Sequence, residues 1–291
     1  MCIKRRFGRS GRWITRRQSR FWASRIGKQF SKRDGFTLIE LLMVIAIITL
    51  LMAILLPALK RVKNQTRAVV CQTNLKQWGT ILDIYVEENR GRLPSSSESE
   101  LFFRGTFISE DDPNVPGPLN PFDTKGIACC PMAVKPSGHG FLGTTFEAWE
   151  EKHYGPPFWS SYGFNGQLQR VISVEPVTGE LLGFDVFSLK GRGKYPVLLD
   201  CKRAHSRVKD YEGPPQTDSV RSWTEWGSFC MDRHNGYING VFLDWSVRKI
   251  GLKELWTLKW YKDFDTANPW TKAGGVQPED WPEWMRGFKD Y

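Results

Sequence analysis

The residues able to do chemistry in this chain fall into three groups by type and spacing. The first is a single carboxylate, Glu40, at the head of an apolar run in which every residue from Leu41 to Leu56 except Thr49 is nonpolar. An ionised group inside a bilayer costs roughly 2.5 to 3.5 kcal/mol on insertion scales, so it calls for a partner or a route to the interface. The second group is a repeated Cys-x-x-x-His spacing, Cys201 to His205 and Cys230 to His234, which could supply four tetrahedral zinc ligands, although a Cys201–Cys230 disulfide competes for the same sulfurs. Asp200, Asp232 and Asp244 add oxygen donors that would suit calcium, but no spaced calcium loop accompanies them. The third group is His234 with Asp244. Without a nucleophile between them, and with no Gly-x-Ser-x-Gly elbow or phosphate-binding glycine loop elsewhere, they are expected to satisfy backbone groups at a hairpin end, and the chain is not expected to be an enzyme.

Two features of the whole chain constrain these groups. The run around Glu40, extended to Phe36 on one side and Leu59 on the other, supplies the ~20 residues a helix needs to cross a bilayer. No small-x-small pattern follows it, so it does not read as a secretory signal peptide. The formal charge of +10 is concentrated in residues 1–35, which hold twelve of the 41 Lys and Arg and one of the 31 Asp and Glu. The remaining 29 basic and 30 acidic residues give a net charge of −1, so charge offers no reason to expect nucleic-acid binding. The cationic leader instead favours an amino terminus in the cytoplasm and a carboxyl-terminal domain in the periplasm or at the cell surface. Cysteines stand at 2, 71, 129, 130, 201 and 230. In an oxidising compartment, Cys71 with Cys129 or Cys130, and Cys201 with Cys230, are the preferred pairings, although spacing does not fix connectivity.

Gly35-Phe36-Thr37-Leu38-Ile39-Glu40 resembles the prepilin signal of type IV pilins and type II secretion pseudopilins. That resemblance implies cleavage after Gly35 by a prepilin peptidase and methylation of the new amino terminus at Phe36. It also implies a pairing of Glu40 with the Phe36 amine of a neighbouring subunit, a bundle of apolar helices, and a helix kink at Pro57. Methylation turns this primary amine into a secondary amine that keeps its positive charge, so the pairing would survive it. Arg233-His234-Asn235-Gly236, Asp244-Trp245, Cys71 to Gln77, Cys130-Pro131 and Ser161 to Asn165 are similar to the pattern of a group of pilin-like proteins from planctomycetes and related bacteria, which carry a His, nine residues, then Asp-Gly. Trp245 stands where that group has Gly, so either a turn needing positive φ is strained there or the turn is of another type.

The expected fold is therefore α+β and pilin-like, a long N-terminal helix packed on a C-terminal antiparallel β-sheet domain. Residues 1–35 form the cleaved leader, 36–59 the transmembrane and assembly helix, and 60–291 the exported domain. Cys71, Leu75, Trp78, Leu82 and Tyr85 recur at steps of four and three, so the helix should continue from Phe36 to Asn89, where Gly91 and Pro94 end it. Residues 94–125 read as an irregular segment. Strands are expected at 171–174, 181–187, 195–199, 237–243 and 247–250, then a short helix at 252–261 and a Trp- and Pro-rich tail. The implied partners are a prepilin peptidase, other pseudopilins in homo- or hetero-oligomers, and the inner membrane. A rival reading is a membrane-tethered protein that presents exposed Trp side chains to polysaccharide or export cargo without polymerising.

Overall fold

The computed structural model describes residues 36–95, 102–103, 126–152, 158–169, 185–218 and 224–291. Helix α1 runs Leu38–Glu88, 51 residues and ~76 Å at 1.5 Å per residue. The chain divides into two compact units, the first ending at Ala53 and the second spanning Ile54–Tyr291.

In the first unit the apolar side chains of α1 are all exposed, including Leu38, Ile39 and Leu50, as is Phe36 just before it. The one hydroxyl within the run, Thr49, donates to the Ala46 carbonyl, so no polar group of that stretch lacks a local acceptor.

In the second unit the stripe Ala68, Cys71, Leu75, Trp78, Leu82 and Val86 is buried, at the spacing that places one helix face against a core. The helix ends as its sequence implies. Arg90 and Gly91 take φ of +55° and +76°, and the Gly91 N–H reaches back to the Val86 carbonyl, a Schellman-type closure.

Strands β1 (Trp149–Glu151) and β2 (Phe158–Ser160) form a small antiparallel pair. The main sheet comprises β3 (Tyr162–Asn165), β4 (Pro196–Asp200), β5 (His205–Ser206), β6 (Tyr237–Phe242) and β7 (Val247–Gly251), in the order β5-β3-β4-β6-β7. All neighbours are antiparallel except β3 and β5. Strand β6 is buried on both faces. Val241 and Leu243 join α1 in one core, while Ile238 and Phe242 join a second core built from Trp226, Trp256, Trp260, Trp281 and Met285. The sheet thus lies between the buried half of α1 and the carboxyl-terminal segment. Trp226, on the short helix α2 (Glu225–Phe229), stacks on Trp256 at 4.2 Å, and Trp281 meets Trp256 edge-on at 5.5 Å, geometries that aromatic quadrupoles favour.

Strands β4, β6 and β7 match the expected spans closely. The expected strand at 171–174 and most of 181–187 lie outside the described residues, but Val186–Ser188 is a 3-10 turn. The helix expected at 252–261 is only a 3-10 turn over Lys253–Thr257, because its apolar residues Leu255, Trp256, Leu258 and Trp260 serve the second core from an irregular path. Trp245 does take φ of +60°. Its N–H bonds to the Phe242 carbonyl and the Phe242 N–H to Ser246, a type I turn followed by a left-handed residue, where Gly is usual.

Strand β3 crosses the 201–203 segment at Gly163 with no space for a side chain. A Cβ there would collide with the Arg203 carbonyl oxygen and approach Cys201 Sγ to 2.8 Å. Gly163→Ala is expected to destabilise the protein by about 2 kcal/mol or more, measured by chemical denaturation, because backbone rather than a flexible side chain must yield.

Candidate functional site

Two places carry functional geometry: the head of α1 and a buried polar cluster in the second unit. At the head of α1, the Thr37 N–H donates to Glu40 Oε2 at 2.8 Å, the Thr37 hydroxyl donates to the same oxygen at 2.9 Å, and the Glu40 N–H donates to Thr37 Oγ1 at 3.3 Å. This reciprocal arrangement is a capping box, Thr-x-x-Glu, and it satisfies donors that the first helical turn leaves open. The Thr-Leu-Ile-Glu spacing was its signal in the sequence. One oxygen of Glu40, Oε1, is left for another donor. Phe36 is exposed and Pro57 lies inside α1, while Gly35 falls outside the described residues.

The buried cluster is built from four segments. Cys71 comes from α1, Cys130 from the 126–133 segment, Asp200 from the end of β4, and His234 from the chain entering β6. Backbone and side-chain bonds hold those segments in place. Asn74 donates to the Cys129 carbonyl, Trp78 Nε1 to the Ile127 carbonyl, the Cys130 N–H to Ser161 Oγ, and Gln72 to Asn239 Oδ1. Asn235 and Gly236, with φ of +60° and +88°, make the turn that delivers His234.

Asp200 and Arg233 are both fully buried and bonded at 2.9 Å. Arg233 has five N–H donors and finds five acceptors: Asp200 Oδ1 and the carbonyls of Thr144, Thr145, Ser161 and Cys201. Asp200 Oδ2 accepts from the Asn239 N–H at 2.8 Å and faces His234 Nε2 at 3.2 Å. Burial alone would push the Asp200 carboxyl up. The charges of His234 and Arg233 and the bonds from His234 and Asn239 outweigh burial and hold it well below the usual carboxylate range. Burial would likewise depress His234, but Asp200 and then Cys130 raise it to about 9. Cys71 is driven up by burial, with its Sγ 3.6 Å from both Asp200 oxygens and receiving the Tyr162 hydroxyl at 3.4 Å. Cys130 Sγ lies 3.4 Å from His234 Nε2.

The residues that converge here differ from the Cys-x-x-x-His set. Of Cys201, His205, Cys230 and His234, only His234 belongs to the group whose ligand atoms converge among the described residues. Cys230 Sγ is 3.8 Å from Met285 Sδ in the second core, and Cys201 Sγ accepts from the Arg203 N–H, because alternate positions of a strand and its exit face different layers. His205 Nδ1 has no hydrogen-bond partner among the described residues. Asp244 is exposed and caps its own turn, accepting from the Ser246 N–H and hydroxyl at 3.0 and 2.6 Å, the backbone role expected of it. Cys129 Sγ faces the Trp159 carbonyl, and all five described cysteines are unbridged.

Removing one partner of the buried pair strands the other charge. Arg233→Ala should cost about 3 to 5 kcal/mol, and Asp200→Asn/Arg233→Ala should cost less than the sum of the single changes, both read from denaturant titration. The orphan ring of His205 sets an acid response. Burial and the cations Arg207 and Arg203 lower it from 6.5 to about 4, against the opposing charge of Glu225. The unfolded chain therefore takes up a proton near pH 6.5 while the folded chain resists until about pH 4, so stability is complete above 6.5 and falls as pH drops through that window. His205→Asn should flatten that fall by about 2 kcal/mol, measured as unfolding free energy against pH.

The family model described as the prokaryotic N-terminal methylation motif matches residues 30–56. No curated protein and no solved structure matches the chain. The matched motif includes Gly35, Phe36 and Glu40 and implies processing by a prepilin peptidase, and the apolar helix that follows is consistent with a membrane anchor. Together with the long N-terminal helix packed on a mostly antiparallel sheet, the motif suggests a pilin-like subunit.

Proposed function

We propose that the chain is a prepilin-like subunit of a type II secretion or type IV pilus-like filament, cut between Gly35 and Phe36, methylated at Phe36 and assembled through residues 36–59. The observation that carries this reading is the methylation motif lying on a helix whose apolar side chains are all exposed from Leu38 to Leu59, with one carboxylate at its head. Exposed apolar area on that scale is stable only against lipid or against other helices of the same kind. Glu40 spends one oxygen on its own capping box and keeps the other for the amine of a neighbour. The role is mechanical rather than catalytic. His234 is engaged with Asp200 and Cys130, while Asp244 closes a surface turn. The pattern spanning Cys71, Cys130 and His234 favours the planctomycete-type group within the pilin-like proteins. Presentation of a Trp-lined surface to sugars has less support, because Trp226, Trp256, Trp260 and Trp281 are buried against one another.

Glu40→Gln separates the two roles of the carboxylate. Gln can complete a capping box but carries no charge. The variant should insert into membranes with unchanged helix content, while cross-linked oligomers recovered with partner pseudopilins fall at least about tenfold, equivalent to about 1.4 kcal/mol. Wild-type oligomer recovery would reduce Glu40 to a helix cap and remove the pairing.

A further inference from the structure

We propose that Cys71, Cys130, Asp200 and His234 form a structural zinc site that fastens the buried half of α1 to the sheet. The four ligand atoms lie within 4.8 Å of one another. Zinc bonds of about 2.3 Å to sulfur and 2.0 to 2.1 Å to nitrogen and oxygen define a tetrahedron with edges of about 3.5 Å for sulfur to nitrogen or oxygen and about 3.3 Å for nitrogen to oxygen. The corresponding separations here are 3.4 Å for Cys130 Sγ to His234 Nε2, 3.6 Å for Cys71 Sγ to Asp200 Oδ2, and 3.2 Å for His234 Nε2 to the same Oδ2. Three of the six edges thus match those of a zinc tetrahedron, and the other three lie within 4.8 Å.

Charge and donor type select the ion. Two thiolates, one carboxylate and Arg233 carry a net charge of −2, which one divalent cation cancels, leaving a neutral cluster in a buried site. Two sulfur donors and a ring nitrogen suit zinc and disfavour calcium, which takes six to eight oxygens. Four protein ligands leave no open position, the mark of a structural rather than a catalytic site. The outer contacts are those that orient metal ligands. Arg233 and the Asn239 N–H fix the Asp200 carboxylate, and the Tyr162 hydroxyl donates to Cys71 Sγ. A cleft of about 540 Å³, lined in part by Arg61, Asn64, Gln65, Arg233, His234 and Lys249, reaches the His234 edge of the cluster.

The inference is independent of filament assembly, so it is tested on the full chain purified in detergent. Elemental analysis should find about one zinc per chain, and chelation should lower the thermal midpoint until zinc is restored. Cobalt(II) in place of zinc should give the visible bands of a tetrahedral ion and a thiolate-to-metal charge-transfer band. Both should be lost in Cys130→Ser and kept in Cys129→Ser, whose sulfur faces Trp159 instead. A metal-free wild-type chain that takes up no cobalt, an octahedral cobalt spectrum, or a Cys71–Cys130 disulfide in the native protein by peptide mass spectrometry would each overturn the site. The wild-type measurements hold even if a ligand variant fails to fold.

Discussion

The second unit is arranged around one ion pair, Asp200 with Arg233. Burying two charges is costly unless each remaining lone pair and proton finds a partner, and here the pair recruits that many segments. Arg233 draws in the carbonyls of residues 144, 145, 161 and 201, and Asp200 draws in the Asn239 N–H, His234 and Cys71. Strand β4, residues 144 and 145, the start of β6 and, through Cys71, α1 all meet at these two side chains. Around them the aromatic residues supply bulk burial, with Trp78 and Trp149 on the α1 side of the sheet and Trp226, Trp256 and Trp260 on the other.

Helix α1 combines two kinds of surface in one element. Its residues from Ala68 to Val86 are specified by contact with the sheet, through a stripe at helical spacing. Its residues from Phe36 to Leu59 have no stripe, being apolar on every side, and their side chains are exposed. A helix that is apolar all round belongs in lipid or in a bundle of like helices, which links the physics of this segment to the methylation motif that overlaps it. Glu40 is tolerated at its head because the capping box gives the carboxylate local donors without a second chain.

Legibility in the sequence followed the range of the interactions. Helix α1 and strands β4, β6 and β7 could be read directly, since each carries a local period and a local stop such as Gly91 or the turn at Asp244. The resemblance left two turns open at position 245, and the structure takes the one with left-handed backbone, at Trp245. Strands β1, β2 and β5 were not legible, because three or two residues hold no period. The metal-compatible cluster was missed for a related reason. Cys71, Cys130, Asp200 and His234 are scattered over 164 positions, and a repeated Cys-x-x-x-His drew attention to sulfurs that the strand alternation sends into the second core. The capping box at Thr37 is written in the Thr-x-x-Glu spacing, which lies within the methylation motif as well.

The pilin-like pathway turns on the peptide bond after Gly35. Its most direct test is intact and amino-terminal peptide mass spectrometry of the membrane-expressed chain with and without a prepilin peptidase. A peptidase-dependent amino terminus at Phe36 carrying one added methyl group is the predicted result. A leader still attached in the presence of the active peptidase, or a cut beyond Leu56, would contradict the pilin-like pathway and leave α1 as an ordinary anchor or export signal.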